Sequence, residues 1–213
     1  LSVTLVCSLL ASVQGQPPNP QLAEAERLKQ EAGQKYQAGR LDEAISLMER
    51  ALALRERVQG KESAEVIEDA NILARLYFGK GAYQRAEPLF VRVLAAYEKH
   101  LGAERERVAE ILNNLAETYR LQGSYARALP LYQPSLTIYE KALGPEHPNV
   151  ATALNNLAGL YEVTGDYPQT LRLVAQAAAI QEVNLVAFLF VSHTASCREI
   201  VNAGSTTYQR QIC

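Results

Sequence analysis

The chain repeats itself every 42 residues, and that period limits its fold more than any other feature. The stretch "AEILNNLAETYRLQGSY" (109–125), shifted by 42, falls on "ATALNNLAGLYEVTGDY" (151–167), with nine of seventeen positions identical. The opposite shift lands on "IEDANILARLYFGKGAY" (67–83), and one more step on "AERLKQEAGQKYQAGRL" (25–41). Four columns run through all the copies. Leu28, Ala70, Leu112 and Leu154 form one, and Ala32, Ala74, Ala116 and Ala158 another. Gly39, Gly81, Gly123 and Gly165 form the third, and Ala44, Ala86, Ala128 and Thr170 the fourth. Tyr77, Tyr119 and Tyr161 align in three copies, with Lys35 in the first. A fixed period of this length marks a stacked array whose units cannot bury their apolar faces alone.

The unit reads as a helical hairpin. Leu112, Leu115, Ala116 and Tyr119 recur at i, i+3, i+4 and i+7, one face of a helix. Gly123 then stops that helix, at a place where a left-handed residue is needed. A second helix follows from Tyr125, carrying Ala128, Leu129, Leu131, Tyr132, Leu136 and Ile138. The fixed alanines are small because two helices cross closely there. Pro88 and Pro130 sit near the starts of second helices, where a missing N–H is tolerated. Pro134 lies deeper and predicts a kink or a late start. Gly144, Pro145 and Pro148 predict a helix stop and restart. The fourth copy decays: Thr170 replaces alanine, and Val174 stands where Phe90 and Tyr132 stand earlier.

The pattern L-x-x-L-A-x-x-Y-x-x-x-G-x-Y-x-x-A resembles the tetratricopeptide repeat. The 42-residue period and linkers such as "KALGPEHPNVATALNNLA" (141–158) are similar to the longer, kinesin-light-chain-type subclass. The likeness spans about 22–182, with repeats at about 25–66, 67–108, 109–150 and 151–182. It implies an all-α, right-handed superhelical solenoid of about four helix–turn–helix units.

Beyond that array the chain changes character. "LSVTLVCSLLASVQG" (1–15) is apolar and too short to span a bilayer, and it reads as a signal peptide with cleavage before Gln16. A basic n-region is missing from it. Export would place the protein in the periplasm or outside the cell; the alternative is the cytoplasm. A Pro-rich linker follows over 16–21, and 183–213 form a tail outside the repeat pattern. The three cysteines, Cys7, Cys197 and Cys213, make no CxxC and no metal-type cluster, so neither a disulfide framework nor a metal site is expected.

Chemistry is scarce. No P-loop, dinucleotide fingerprint, HExxH, GxSxG or EF-hand loop is present, and no cofactor is expected. His193 and Cys197 lie four apart in the tail, but no orienting group accompanies them, so the chain does not read as an enzyme. The net charge of −2 and the lack of a basic face argue against nucleic acid. Runs such as "RERVQGKESAEVIED" (55–69) mix both signs and read as solvated linker surface. The Tyr column, at helical spacing in the apolar face, reads as core. The decayed fourth repeat leaves an apolar end able to pair with a second copy.

Asparagine pairs stand out against this background. Asn113 and Asn114 recur at the same register as Asn155 and Asn156, although asparagine is a poor helix former. They lie off the apolar face. In the tetratricopeptide resemblance, first helices line a concave groove, and these positions match asparagine columns that clamp a ligand's backbone. An amide carries both donor and acceptor, so it can pair with main chain of any sequence. Asn71 extends the ladder by one unit, and Arg75, Glu117, Arg120 and Glu162 stand around it to choose charge. The other reading is that the amides tie one repeat's helix to the next. The resemblance thus implies a scaffold for a protein or peptide. A second implication is the truncated partner-sensing arm of a bacterial protein ending in a caspase-like CHAT domain.

Overall fold

The computed structural model describes residues 19–101 and 105–182. Every element among them is helical: α1 Pro20–Gln37, α2 Leu41–Gln59, α3 Ala64–Gly79, α4 Tyr83–Leu101, α5 Glu106–Leu121, α6 Tyr125–Leu143 and α7 Pro148–Thr164, then α8 over 167–182. The expected signal segment 1–15 and the tail 183–213, with all three cysteines and His193, lie outside the described residues. No helix among the described residues is long and apolar enough to cross a membrane.

The first helix starts slightly ahead of the expected 22. Asn19 caps it, its Oδ1 accepting from the Gln21 amide at 2.9 Å, and Pro20 takes the first turn, where its missing N–H costs nothing. The glycine column ends each first helix. Gly39, Gly81, Gly123 and Gly165 have φ of 74°, 78°, 73° and 85°, a region in which a Cβ would be strained. Gly144 closes α6 with φ 88°, and the restart falls at Pro148, where His147 caps α7 by accepting from the Asn149 amide at 3.1 Å. The expected late start at Pro134 is not seen: α6 begins at Tyr125 and runs unbroken through Pro130 and Pro134. The neighbouring Ser135 hydroxyl is buried and donates to the Ala109 carbonyl of α5 at 2.7 Å, which anchors the helix just past the proline.

The chain divides into two compact units, residues 1–96 and 97–213, with the boundary inside α4. In the first unit, Ala25, Leu28 and Ala32 of α1 pack with Ala44, Ile45, Met48, Ala51 and Leu52 of α2. Val66, Ile67, Ala70, Leu73 and Ala74 of α3 and Ala86, Phe90 and Val93 of α4 complete its core. The alanines are buried because nothing larger fits where helices cross. In the second unit Ala116, Ala128 and Ala158 repeat this role, with Ile111, Leu112, Leu115, Tyr132, Leu154 and Leu157 around them. Where the column changes to Thr170, the hydroxyl donates to the Asp166 and Ala158 carbonyls at 3.0 and 3.5 Å, so the extra polar atom is satisfied.

Two of the three tyrosines of the Tyr column are core, as the spacing implies, while Tyr161 in the decayed fourth copy is half-buried. Tyr77 and Tyr119 are buried, each with an arginine from the next helix over its ring: Arg85 at 4.3 Å and Arg127 at 3.8 Å. Tyr77 also donates to Glu49 of α2. Burial first, then that bond to a carboxylate, pushes the Tyr77 phenol up to about 12.

Candidate functional site

In the second unit the first helices α5 and α7 carry most of the candidate residues. Asn113 is 9% exposed, and its Oδ1 accepts from Asn156 Nδ2 at 3.2 Å. This bond ties the two first helices together, so one amide of each pair is used by the scaffold. Asn155 is exposed and Asn114 half-buried, and among the described residues neither side chain has a hydrogen-bond partner. The Asn114 carbonyl does accept from the buried Thr118 hydroxyl at 2.8 Å, which fixes that turn of α5.

Glu117 and Arg120 stand one turn further along α5. The arginine donates from Nε and Nη2 to the two carboxylate oxygens at 2.8 and 2.5 Å, and the buried Tyr132 of α6 donates to the same carboxylate at 2.5 Å. Burial alone would raise the Glu117 pKa, but the bonds from Arg120 and Tyr132 outweigh it and hold the carboxyl below the ordinary range. Tyr132 is pushed well up, by burial and then by its bond to Glu117. The Arg120 guanidinium lies against α7 at Gly159, where an added Cβ would stand 4.0 Å from its Cζ. The two charges therefore neutralise each other in place. Glu162, at the end of α7, is exposed.

The first unit differs. Asn71 is 7% exposed, and its Oδ1 has no hydrogen-bond partner among the described residues. Arg75 is exposed and has contacts of its own. Beside them lies a charge cluster that the sequence reading missed. Asp69 is fully buried; Lys29 Nζ of α1 lies 2.9 Å from its Oδ1 and Arg55 Nε of α2 lies 3.2 Å from its Oδ2. Both are ion-pair approaches without the alignment of a hydrogen bond. Arg55 also donates from Nη2 to Glu26 at 2.9 Å. The run 55–69 was expected to be solvated; its two end residues are instead buried against each other. The column pattern held the signal. Ile111 and Ala153 occupy the column of Asp69, while Tyr97 and Tyr139 occupy that of Arg55, so two charges replace apolar residues together.

No group of three or more metal-ligating side chains occurs among the described residues.

Comparison with known proteins bears on this arrangement. The family model for the tetratricopeptide repeat matches residues 21–99 and 107–182. Among solved structures, BtubC (BKLC) from P. vanneervenii shares the fold with a TM-score of 0.71 at 24% identity, over 80% of this chain and 67% of that one. A Podosopora anserina protein described as a kinesin light chain with nearly identical TPR-like repeats has a TM-score of 0.64 at 25% identity, over 85% and 84%. A search of curated protein sequences gives no match.

Proposed function

The chain belongs to the tetratricopeptide repeat family, with kinesin-light-chain-like neighbours, and from that premise we propose that it is a non-enzymatic scaffold whose first helices hold the main chain of a peptide. The fold is in general a protein-interaction scaffold. The finer reading rests on one observation: Asn114 and Asn155 keep their amides without partners on the first helices, where asparagine is unfavourable for helix formation. The Asn113–Asn156 bond holds the two helices in register beneath them. Asn156 keeps one donor and its Oδ1 for a ligand. In the second unit Glu162 would then select among peptides by charge, beside the mutually paired Glu117 and Arg120; in the first unit Asn71 and Arg75 would offer an amide and a charge of their own.

Each amide-to-backbone bond is worth about 1 kcal/mol net, so useful affinity needs several acting together. The test is to pan a random-peptide display library against the full chain and against the Asn114→Ala/Asn155→Ala double variant. Peptides enriched on the native chain should bind the variant about tenfold more weakly, the loss expected of two such bonds with partial compensation. Equal binding to both, at unchanged helicity, contradicts the reading.

A further inference from the structure

The fourth hairpin leaves an apolar stripe open. Tyr167, Leu171 and Val174 of α8 are 64%, 72% and 45% exposed, and Ala175 and Ala178 are exposed beside them. The five are spaced by three or four residues and so share one face of the helix. Another face of α8 packs inward, with Leu173 and Ala177 only 3% and 1% exposed. Met48, Phe90 and Tyr132, the residues in the Val174 column of the other hairpins, are 1%, 0% and 1% exposed. A position that is interior in three hairpins is open in the fourth. Charge is scarce here as well. Over 167–182 only Arg172 and Glu182 are charged, and Arg172 lies off the stripe. Depletion of charge at the centre of an exposed apolar face is the composition of a protein interface.

We propose that this stripe docks on the same stripe of a second copy, the two α8 helices running antiparallel about a two-fold axis. The order of side chains along α8 carries the inference. Large residues, Tyr167, Leu171 and Val174, fill the first half of the stripe, and small ones, Ala175 and Ala178, the second. With the axis between positions 174 and 175, Leu171 meets Ala178 of the second copy and Val174 meets its Ala175. Each large side chain then faces a small one, and the helices can approach closely. The same register sets Glu182 opposite Tyr167, a carboxylate facing a phenol that can donate to it. Parallel packing would set Leu171 on Leu171 and alanine on alanine instead. Docking of the fourth hairpin on the first is not favoured either. Arg27 and Glu31, paired with each other, hold the columns of buried Ile111 and Ala153 and of buried Leu73, Leu115 and Leu157, so that face is charged. Only like-to-like contact buries the stripe, and such a contact closes at two copies. The helix is about 24 Å long, so the interface is small and the dimer dissociates on dilution.

Sedimentation velocity of the full chain, from low to high micromolar concentration, tests this. The native chain should pass from monomer to dimer. Leu171→Lys and Ala178→Glu should each weaken dimerisation at least about tenfold, with the helical circular dichroism retained because both side chains are exposed and Leu173 and Ala177 still pack. Combined in one chain, the two changes set opposite charges against each other twice across the axis, and the double variant should recover most of the native affinity. A native chain that stays monomeric throughout overturns the proposal and leaves the stripe to a different occupant. A dimer that survives Leu171→Lys places the contact elsewhere and overturns it too, as does a double variant that associates no better than either single one.

Discussion

Asn156 of α7 donates its side-chain amide to Asn113 Oδ1 of α5 at 3.2 Å, joining the first helices of successive repeats. Asparagines one position away, Asn155 and Asn114, make no such bond among the described residues. Adjacent members of each pair therefore have different work. Asn113→Ala and Asn156→Ala should each destabilise the fold by about 1 kcal/mol, with a coupling of about 0.5 kcal/mol or more in a double-mutant cycle. Asn155→Ala should be neutral or stabilising by a few tenths of a kcal/mol, since alanine is the better helix former. Urea denaturation distinguishes these signs.

Asp69 and Arg55 set a second test. Removing one partner leaves a buried charge, so Asp69→Ala should cost about 3–5 kcal/mol. Replacing both by the residues of the third repeat, Asp69→Ile with Arg55→Tyr, should recover most of that loss or exceed native stability. A double variant as unstable as the single one would show that the cluster is not the cause.

The tyrosines predict the alkaline limb. The Tyr77 phenol is raised to about 12, and Tyr132 and Tyr139 are also raised, with burial the leading cause in each. A raised folded-state pKa means the neutral phenol is favoured by folding. Stability is therefore fully present below the unfolded value of about 10 and is lost as pH rises through the folded values. Ultraviolet titration of the native chain should show these phenols ionising only as the fold is lost.

Glu117 predicts the acid limb. Its folded pKa lies below the ordinary 4.5 despite burial, because Arg120 and Tyr132 donate to the carboxylate. Its contribution is present above that ordinary value and is lost as pH falls through the folded one. Glu117→Gln should flatten the fall in stability on acidification. Tyr132→Phe removes one of the two donors and should raise the Glu117 pKa, measurable by carbon-detected NMR titration.

What could be read from the sequence was steric. The glycine column is legible because only glycine sits easily at positive φ, and the alanine columns because helices cross there. The late start offered for Pro134 did not occur because local propensity counts a lost N–H, whereas the packing of α6 on α5, through Ser135 and Tyr132, decides whether the helix continues. Arg55 and Asp69 misled because mixed charge at a repeat boundary ordinarily means solvent; their partners lie on other helices, at separations that no local window contains. The asparagine register was visible, but not which member of each pair bridges helices.

The central claim, that the free amides of the first helices hold a peptide's main chain, is tested most directly by isothermal titration calorimetry. A peptide selected on the native chain is titrated into native, Asn155→Ala and Asn113→Ala proteins at a temperature where all are folded. The account predicts that Asn155→Ala weakens binding about fivefold, the worth of roughly one amide-to-backbone bond, without loss of stability. Unchanged affinity in Asn155→Ala, with affinity falling only in the destabilised Asn113→Ala, would contradict it.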